Sequence, residues 1–301
     1  MEKEPQIKFE ANEPSKGKGE MEQQVESQLE NKENIEKGIL HNKFVELAKN
    51  PSQESLDDFV NLFRKLEQKI KDIMKVATAE GQDKYKYSSF VNGCSCEVVL
   101  FYFQNIPENE KELQQEITKA LKGKKVLEIG ASRNPHMDFK EYGADYYVAE
   151  RKGSFYNDVK GTEGAIEELY KEKGIKLLPT CDDDEWQNIP KIDFDIICST
   201  RVWYDGDCRS YHGFDDGGGE AFNEYHKLLK DGGLIYHDMA STERGYHPLS
   251  MDMYFRGLGL VTFVRILEKL KKSDIWSSRY YSLPPFGMKL NKGKINLEVQ
   301  L

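Results

Sequence analysis

Apolar residues recur at three- and four-residue steps between residues 39 and 80, with Leu56, Phe59, Val60, Phe63, Leu66, Ile70, Ile73 and Met74 on one stripe. That is the period of an amphipathic helix. Pro51 ends whatever precedes it, and Ser55 with Asp58 three residues on makes a helix-start signal. The stripe is expected to pack on a larger body; a coiled-coil dimer is the alternative, on which about three turns of clean repeat are too few to insist. Glu97 to Phe103 is a continuous apolar run, and its period does not choose between a buried strand and a buried helix. Pro107 is read as the start of a helix carrying Leu113, Ile117 and Leu121 on one face, with Gly123 where a C-terminal cap belongs.

From Lys124 onward the pattern changes to short apolar runs alternating with helical stretches. Val126–Ile129, Tyr146–Ala149, Ile175–Leu178 and Phe194–Cys198 read as strands, and Leu228 to Asp238 (LLKDGGLIYHD) reads as a helix end, a Gly-Gly turn and a fifth strand. Helices are expected at Thr162–Lys173, ended by Gly174, at Glu220–Lys230 and over 251–272, with closing strands at Asp274–Leu283 and Lys294–Leu301. Strands alternating with helices of this length build a mostly parallel sheet covered on both faces.

The centre of this pattern is Lys124 to Glu150, a strand, a Gly-bearing turn, a short helix and a second strand that ends on an acid. A parallel strand delivers such a turn to the carboxyl edge of the sheet, where ligands bind. Gly130 lets a ligand lie against the main chain, and a carboxylate after the next strand, Glu150, can accept both hydroxyls of a ribose. A dinucleotide site wants glycine at the first, third and sixth positions of the turn, which here are Gly130, Ser132 and Pro135. Glu128 also sets negative charge two residues before the turn, which suits an amine and a sulfonium better than a pyrophosphate.

On these residues the stretch resembles the class I, Rossmann-like methyltransferases that use S-adenosylmethionine. The resemblance implies that Glu128, Gly130, Ala131 and Ser132 meet the methionine end of the cofactor, and that Glu150 holds the ribose. It implies that Asp182 or Asp183 recognises the adenine amino group, with Trp186 placed to stack, and that Ser199 lies beside the reactive methyl. Leu228–Asp238 is similar to the Leu-Lys-Pro-Gly-Gly run before the family's fifth strand, with Asp231 in place of the proline. The fold it implies is a doubly wound, mostly parallel seven-stranded sheet with an antiparallel C-terminal strand, plus an N-terminal helical extension. His237 and Asp238 close the fifth strand and are the candidate catalytic pair, His237 for its intrinsic pKa. The Asn/Asp-Pro-Pro-aromatic motif of amino-methylating nucleic-acid enzymes is absent at Ser199-Thr200-Arg201.

Each candidate has a plainer role. Glu150 can pair with Arg151 or Lys152, Gly130 is what any tight turn wants, and three successive acids make a solvated loop. His237 can be a core histidine bonded to backbone.

The formal net charge of −9 disfavours a sequence-independent grip on nucleic-acid backbones. KLKK at 269–272 reads as the solvated end of a helix. No run is apolar over a membrane-spanning length, and the chain opens without a basic-then-apolar leader. The five cysteines, Cys94, Cys96, Cys181, Cys198 and Cys208, lack zinc-finger spacing and fit reduced thiols in the cytoplasm. No metal is expected.

Residues 1–38 hold ten Glu and six Lys and read as a disordered acidic tail. Residues 39–122 read as a helical extension or cap, and 123–301 as the Rossmann-like domain. The readings carried forward are a methyltransferase acting on an oxygen or nitrogen of a small molecule or protein, an NAD(P)-dependent oxidoreductase, and an inactive methyltransferase-like binding module. The acceptor and the oligomeric state are left open.

Overall fold

A computed structural model of the chain describes residues 37–79, 98–129, 131, 135, 137–149, 163–178, 191–199, 226–237, 255, 259–271 and 286–290. Residues 37–301 form one compact unit.

The helical stripe folds as two helices, α1 (Ile39–Lys49) and α2 (Gln53–Ala79), broken at Pro51. The second begins earlier than Ser55. Ser52 and Ser55 bond each other's amides at 3.1 and 3.0 Å, a reciprocal capping arrangement that Ser52 opens. Leu40, Phe44 and Leu47 of α1 and Leu56, Phe59, Phe63 and Leu66 of α2 are buried. The apolar run resolves as one tight helical turn at 98–100, followed by 101–103, all of it buried. This segment lies against the start of α1, with Ile39 N donating to the Phe103 carbonyl (2.8 Å) and His41 N to that of Phe101 (3.2 Å).

Helix α3 (Glu110–Leu121) starts three residues after Pro107, capped by Asn109, whose side chain accepts from Glu112 N. Gly123 follows its end at φ 73°. Glu116 of α3 is buried and gathers Gln104 N (2.7 Å), Asn105 N (3.0 Å), Asn105 Nδ2 (3.2 Å) and Lys119 Nζ (2.8 Å). Burial alone pushes its carboxyl up, and the Lys119 ammonium and the Asn105 and Gln104 donors reverse this, leaving it below the usual carboxylate range. Glu116→Ala strands these donors and should cost about 2–4 kcal/mol in urea unfolding at pH 7. The cost should shrink as pH falls through the carboxylate range, and a pH-independent cost would refute this account of the shift.

The sheet contains β1 (Lys125–Ile129), β2 (Asp145–Ala149), β3 (Lys176–Leu178), β4 (Phe194–Ser199), β5 (Leu229–His237), β6 (Val261–Thr262) and β7 (Phe286–Met288). Their order is β3-β2-β1-β4-β5-β7-β6, with β1 to β5 parallel and β7 antiparallel to both neighbours. Short helices α4 (Asp138–Glu141) and α5 (Glu163–Glu172) lead into β2 and β3, and α6 (Phe263–Lys269) follows β6. The seven-stranded, mostly parallel sheet with its antiparallel end and its N-terminal helices is the fold expected from the resemblance.

Three assignments differ from the pattern reading. The Gly-Gly segment is not a turn before β5 but part of it, and the strand starts at Leu229, inside the expected helix. Pairing with β4 jumps from Phe194↔Leu229 to Ile196↔Leu234, so residues 230–233 bulge opposite Asp195 alone. The expected helix over 251–272 is interrupted by β6. Val261 and Thr262 pair with β7, and Thr262 caps α6 by accepting from Arg265 N at 3.1 Å. The antiparallel pair is therefore built from β6 and β7; the expected strands at 274–283 and 294–301 lie outside the described residues.

One face of the sheet, with Val126, Tyr146, Val148, Cys198 and Tyr236, shares a core with α1, α2, segment 98–103 and α3. Its densest part is aromatic. Phe286 of β7 meets Phe101 (ring centroids 4.7 Å), Phe44 (5.0 Å) and Phe59 (6.2 Å), and Phe59 meets Phe263 at 5.7 Å. The opposite face holds Leu127, Ile129, Tyr147, Ile197 and Ile235 against Phe255 and Leu260. Among the described residues, no helix is long and apolar enough to cross a membrane.

The amino-terminal edge is tied by Asp195. Its carboxylate accepts from Lys125 N (2.9 Å) and pairs with Lys124 and Lys230, while Tyr102 OH donates to its carbonyl (2.9 Å). In the bulge beside it, Gly232 N donates to the Lys289 carbonyl, and the Gly232 carbonyl accepts from His41 Nε2 at 3.0 Å. The sequence reading had given His41 no role.

Candidate functional site

The register of the parallel strands sets the candidate residues in order. Ile129 of β1 pairs with Ala149 of β2 on one side and with Ser199 of β4 on the other, and Ser199 pairs with His237 of β5. The ends of four adjacent strands therefore form one row, Ala149–Ile129–Ser199–His237, along the carboxyl edge. At about 4.8 Å between neighbouring strands, the row spans roughly 14 Å. This is the rim on which open parallel sheets hold their ligands. Ser199 and His237 are described by backbone position only. Gly130, Ser132, Glu150, Asp182, Asp183 and Asp238 lie outside the described residues, as do Trp186, Thr200 and the Cys94/Cys96 pair. In the chain, Gly130 directly follows Ile129, Glu150 follows Ala149, and Asp238 follows His237.

Beneath this row lies the best-defined candidate, Glu128. Alternation along β1 turns Leu127 and Ile129 to one face and Val126 and Glu128 to the other, where Glu128 is fully buried. Its neighbours in register are Val148 on β2 and Cys198 on β4, a buried cysteine outside any disulfide. The Tyr146 hydroxyl, from β2, donates to Glu128 Oε2. Burial, and then the Glu128 carboxylate beside it, push the Tyr146 phenol well above its ordinary range, so the hydroxyl keeps its proton and remains a donor. Phe139 of α4 backs the Tyr146 ring at 5.6 Å. Ala131, the residue after Gly130, is buried in the same core cluster as Tyr146.

The pattern reading assigned Glu128 by its place in the strand and missed Tyr146. A signal was available: Tyr146 and Val148 share a face of β2, and a tyrosine there brings a hydroxyl into an otherwise apolar layer. Among the described residues, no group of three or more His, Cys, Asp or Glu side chains is placed to hold a metal ion.

Chemically, the arrangement presents a buried, hydrogen-bonded carboxylate at the head of a glycine turn, with the ends of four strands around it. A negative charge in that place opposes a pyrophosphate. It favours a cationic group lying across the turn.

No protein-family model matches the chain, and no curated protein matches it. Solved structures do. The match to the T. thermophilus 16S rRNA N2 G1207 methyltransferase, solved with AdoMet and guanosine, covers 42% of this chain and 31% of that one, at 16% identity and a TM-score of 0.27. The O-methyltransferase TomG from Streptomyces achromogenes, solved with SAM, matches over 60% of this chain and 78% of that one, at 14% identity and a TM-score of 0.30. An S-adenosylmethionine dependent methyltransferase from Mesorhizobium loti matches over 56% and 89%, at 13% identity and a TM-score of 0.29. These likenesses stand beside the strand order and add nothing to it about the reaction.

Proposed function

We propose that the chain, with its seven-stranded, mostly parallel Rossmann-like sheet, is a methyltransferase that uses S-adenosylmethionine. The observation that supports this most is the buried Glu128 carboxylate at the head of the β1 turn, bonded by Tyr146 beneath the row of strand ends. The buried Glu128 carboxylate suits the cationic methionine end of that cofactor. Glu128, Gly130, Ala131 and Ser132 would meet its methionine end, Glu150 its ribose, Asp182 or Asp183 its adenine, and Ser199 the reactive centre. When bound, the cofactor supplies a carbon already activated for displacement.

The work left to the chain is alignment and proton removal. The strand ends fix where an acceptor lies relative to the turn. His237 and Asp238, at the end of β5, would take the proton that the acceptor oxygen or nitrogen gives up as its new bond to carbon forms. The acceptor is proposed to be a small molecule or a protein in the cytoplasm, since a net charge of −9 gives no general hold on a polyanion.

An NAD(P)-dependent oxidoreductase uses a related sheet, and an inactive binding module could keep the fold. A thermal-shift comparison separates the readings. S-adenosylhomocysteine at a hundredfold excess over its dissociation constant should add about 2.7 kcal/mol of stability, with NAD adding nothing. Stabilisation by NAD alone overturns the proposal. Binding of S-adenosylhomocysteine without label transfer from S-adenosylmethionine to any component of a cell extract would favour the inactive module.

A further inference from the structure

We propose that Tyr146 is a positioning residue for the cofactor: its hydroxyl holds the Glu128 carboxylate in one orientation beneath the β1 turn, and so carries part of the affinity without touching the ligand. The inference rests on the S-adenosylmethionine reading above.

The argument begins with what a carboxylate at position 128 needs. Glu128 is fully buried on a short strand, and its side chain has three rotatable bonds. A free rotamer would spread its charge over several places in the layer between the sheet and α4. Tyr146 sits two residues before Val148, the register partner of Glu128. It thus stands diagonally across the strand pair, within reach of a long side chain. Its ring is fixed by burial and by Phe139, and its hydroxyl can rotate only to find an acceptor. The acceptor it finds is Glu128 Oε2. Among the described residues, the groups that face this pair include Cys198 from β4 and Tyr170 from α5, both buried. The carboxylate is thereby held from β2, one strand away from the turn it serves. Hydrogen bonds to a charged acceptor are the stronger kind, and an orienting partner of this sort can alter affinity at a ligand it never meets.

Tyr147 provides the internal control. It lies on the same strand but faces the other way, and its hydroxyl bonds Asp145 at 2.8 Å on the side away from Glu128.

The test is a calorimetric titration of S-adenosylhomocysteine into five proteins: wild type, Tyr146→Phe, Glu128→Gln, the double variant, and Tyr147→Phe. Tyr146→Phe should weaken binding by about tenfold. In the Glu128→Gln background the same change should cost less than about twofold, because the partner it orients has lost its charge. Tyr147→Phe should stay within about twofold of wild type. An equal loss with and without the Glu128 carboxylate would make Tyr146 a plain packing residue and overturn the proposal, as would unchanged affinity in Tyr146→Phe. If Tyr146→Phe does not fold, Tyr146→His, which keeps a ring-borne N–H at shorter reach, replaces it, with a loss again expected only while position 128 carries a carboxylate. Wild-type protein that binds no S-adenosylhomocysteine would overturn the methyltransferase reading itself, which is a different result from a bound ligand indifferent to Tyr146.

Discussion

Gly38→Ala should lower the stability of the protein by about 3–5 kcal/mol, a loss of roughly 10 °C in the thermal midpoint. Gly38 stands at φ 69° and ψ 154°, a region that side chains other than glycine essentially never enter. Space is the second obstacle. A Cβ built there would lie 2.5 Å from the Phe101 carbonyl oxygen and 2.6 Å from the Tyr102 carbonyl carbon and Cα. These are backbone atoms in a fully buried segment, held to α1 by the Ile39–Phe103 and His41–Phe101 hydrogen bonds. Neither side can yield without parting the first helix from residues 98–103. Gly123 supplies the comparison. It also has positive φ, 73°, but a Cβ there meets nothing within 4 Å. Gly123→Ala should therefore cost only about 1 kcal/mol, the conformational term alone. Melting curves followed by circular dichroism would decide. Equal midpoint shifts for the two variants would mean that the close approach at Gly38 does not constrain the fold.

Acid should unfasten the same helix. The His41 side chain is 1% exposed and its pKa is lowered from 6.5 to about 4. Burial is the main cause. The hydrogen bond to the Gly232 carbonyl opposes it, the Lys37 and Lys124 charges reinforce it, and Asn42 opposes it slightly. The native state therefore holds a neutral imidazole whose Nε2–H donates to Gly232. Between pH 6.5 and 4 the unfolded chain takes up a proton that the native chain refuses, so stability falls as pH falls through that window and is fully present above it. A separation of that size corresponds to about 3 kcal/mol. Urea unfolding from pH 7 down to 4.5 should show this slope in the wild type. His41→Gln keeps an N–H donor that does not titrate, and should flatten the slope while costing some stability at pH 7. Identical slopes in both proteins would assign the acid sensitivity to other groups.

Much of the sheet was legible because buried parallel strands leave a simple mark. Val126–Ile129, Tyr146–Ala149 and Phe194–Cys198 are short apolar runs closed by glycine or a polar turn, and each became a strand within a residue of its expected end. The second half of the sheet was less legible for a physical reason. Glycine serves a turn and a bulge equally well, so Lys230–Gly233 offered no local sign that it would stay inside β5. Val261 and Thr262 fit a helical stripe, and their pairing with residues 287 and 288 is made across the intervening chain. A strand as short as Phe286–Met288 carries too few positions for any period to register. The candidate site divides in the same way. Glu128 could be found from its place before a glycine turn. Tyr146 acquires its part only when β1 and β2 lie side by side, and His41 only when α1 meets a bulge 191 residues away.

The cluster around Phe286 has a consequence for how the molecule is made. Phe44, Phe59 and Phe101, from the first third of the chain, close against a ring that the ribosome delivers more than 180 residues later. The part of α1 and α2 that β7 covers must therefore wait, uncovered, through the synthesis of nearly the whole sheet. A nascent chain that completes this cluster only when β7 is made is slow to mature and open to association meanwhile, and its yield in cells should respond to chaperone supply.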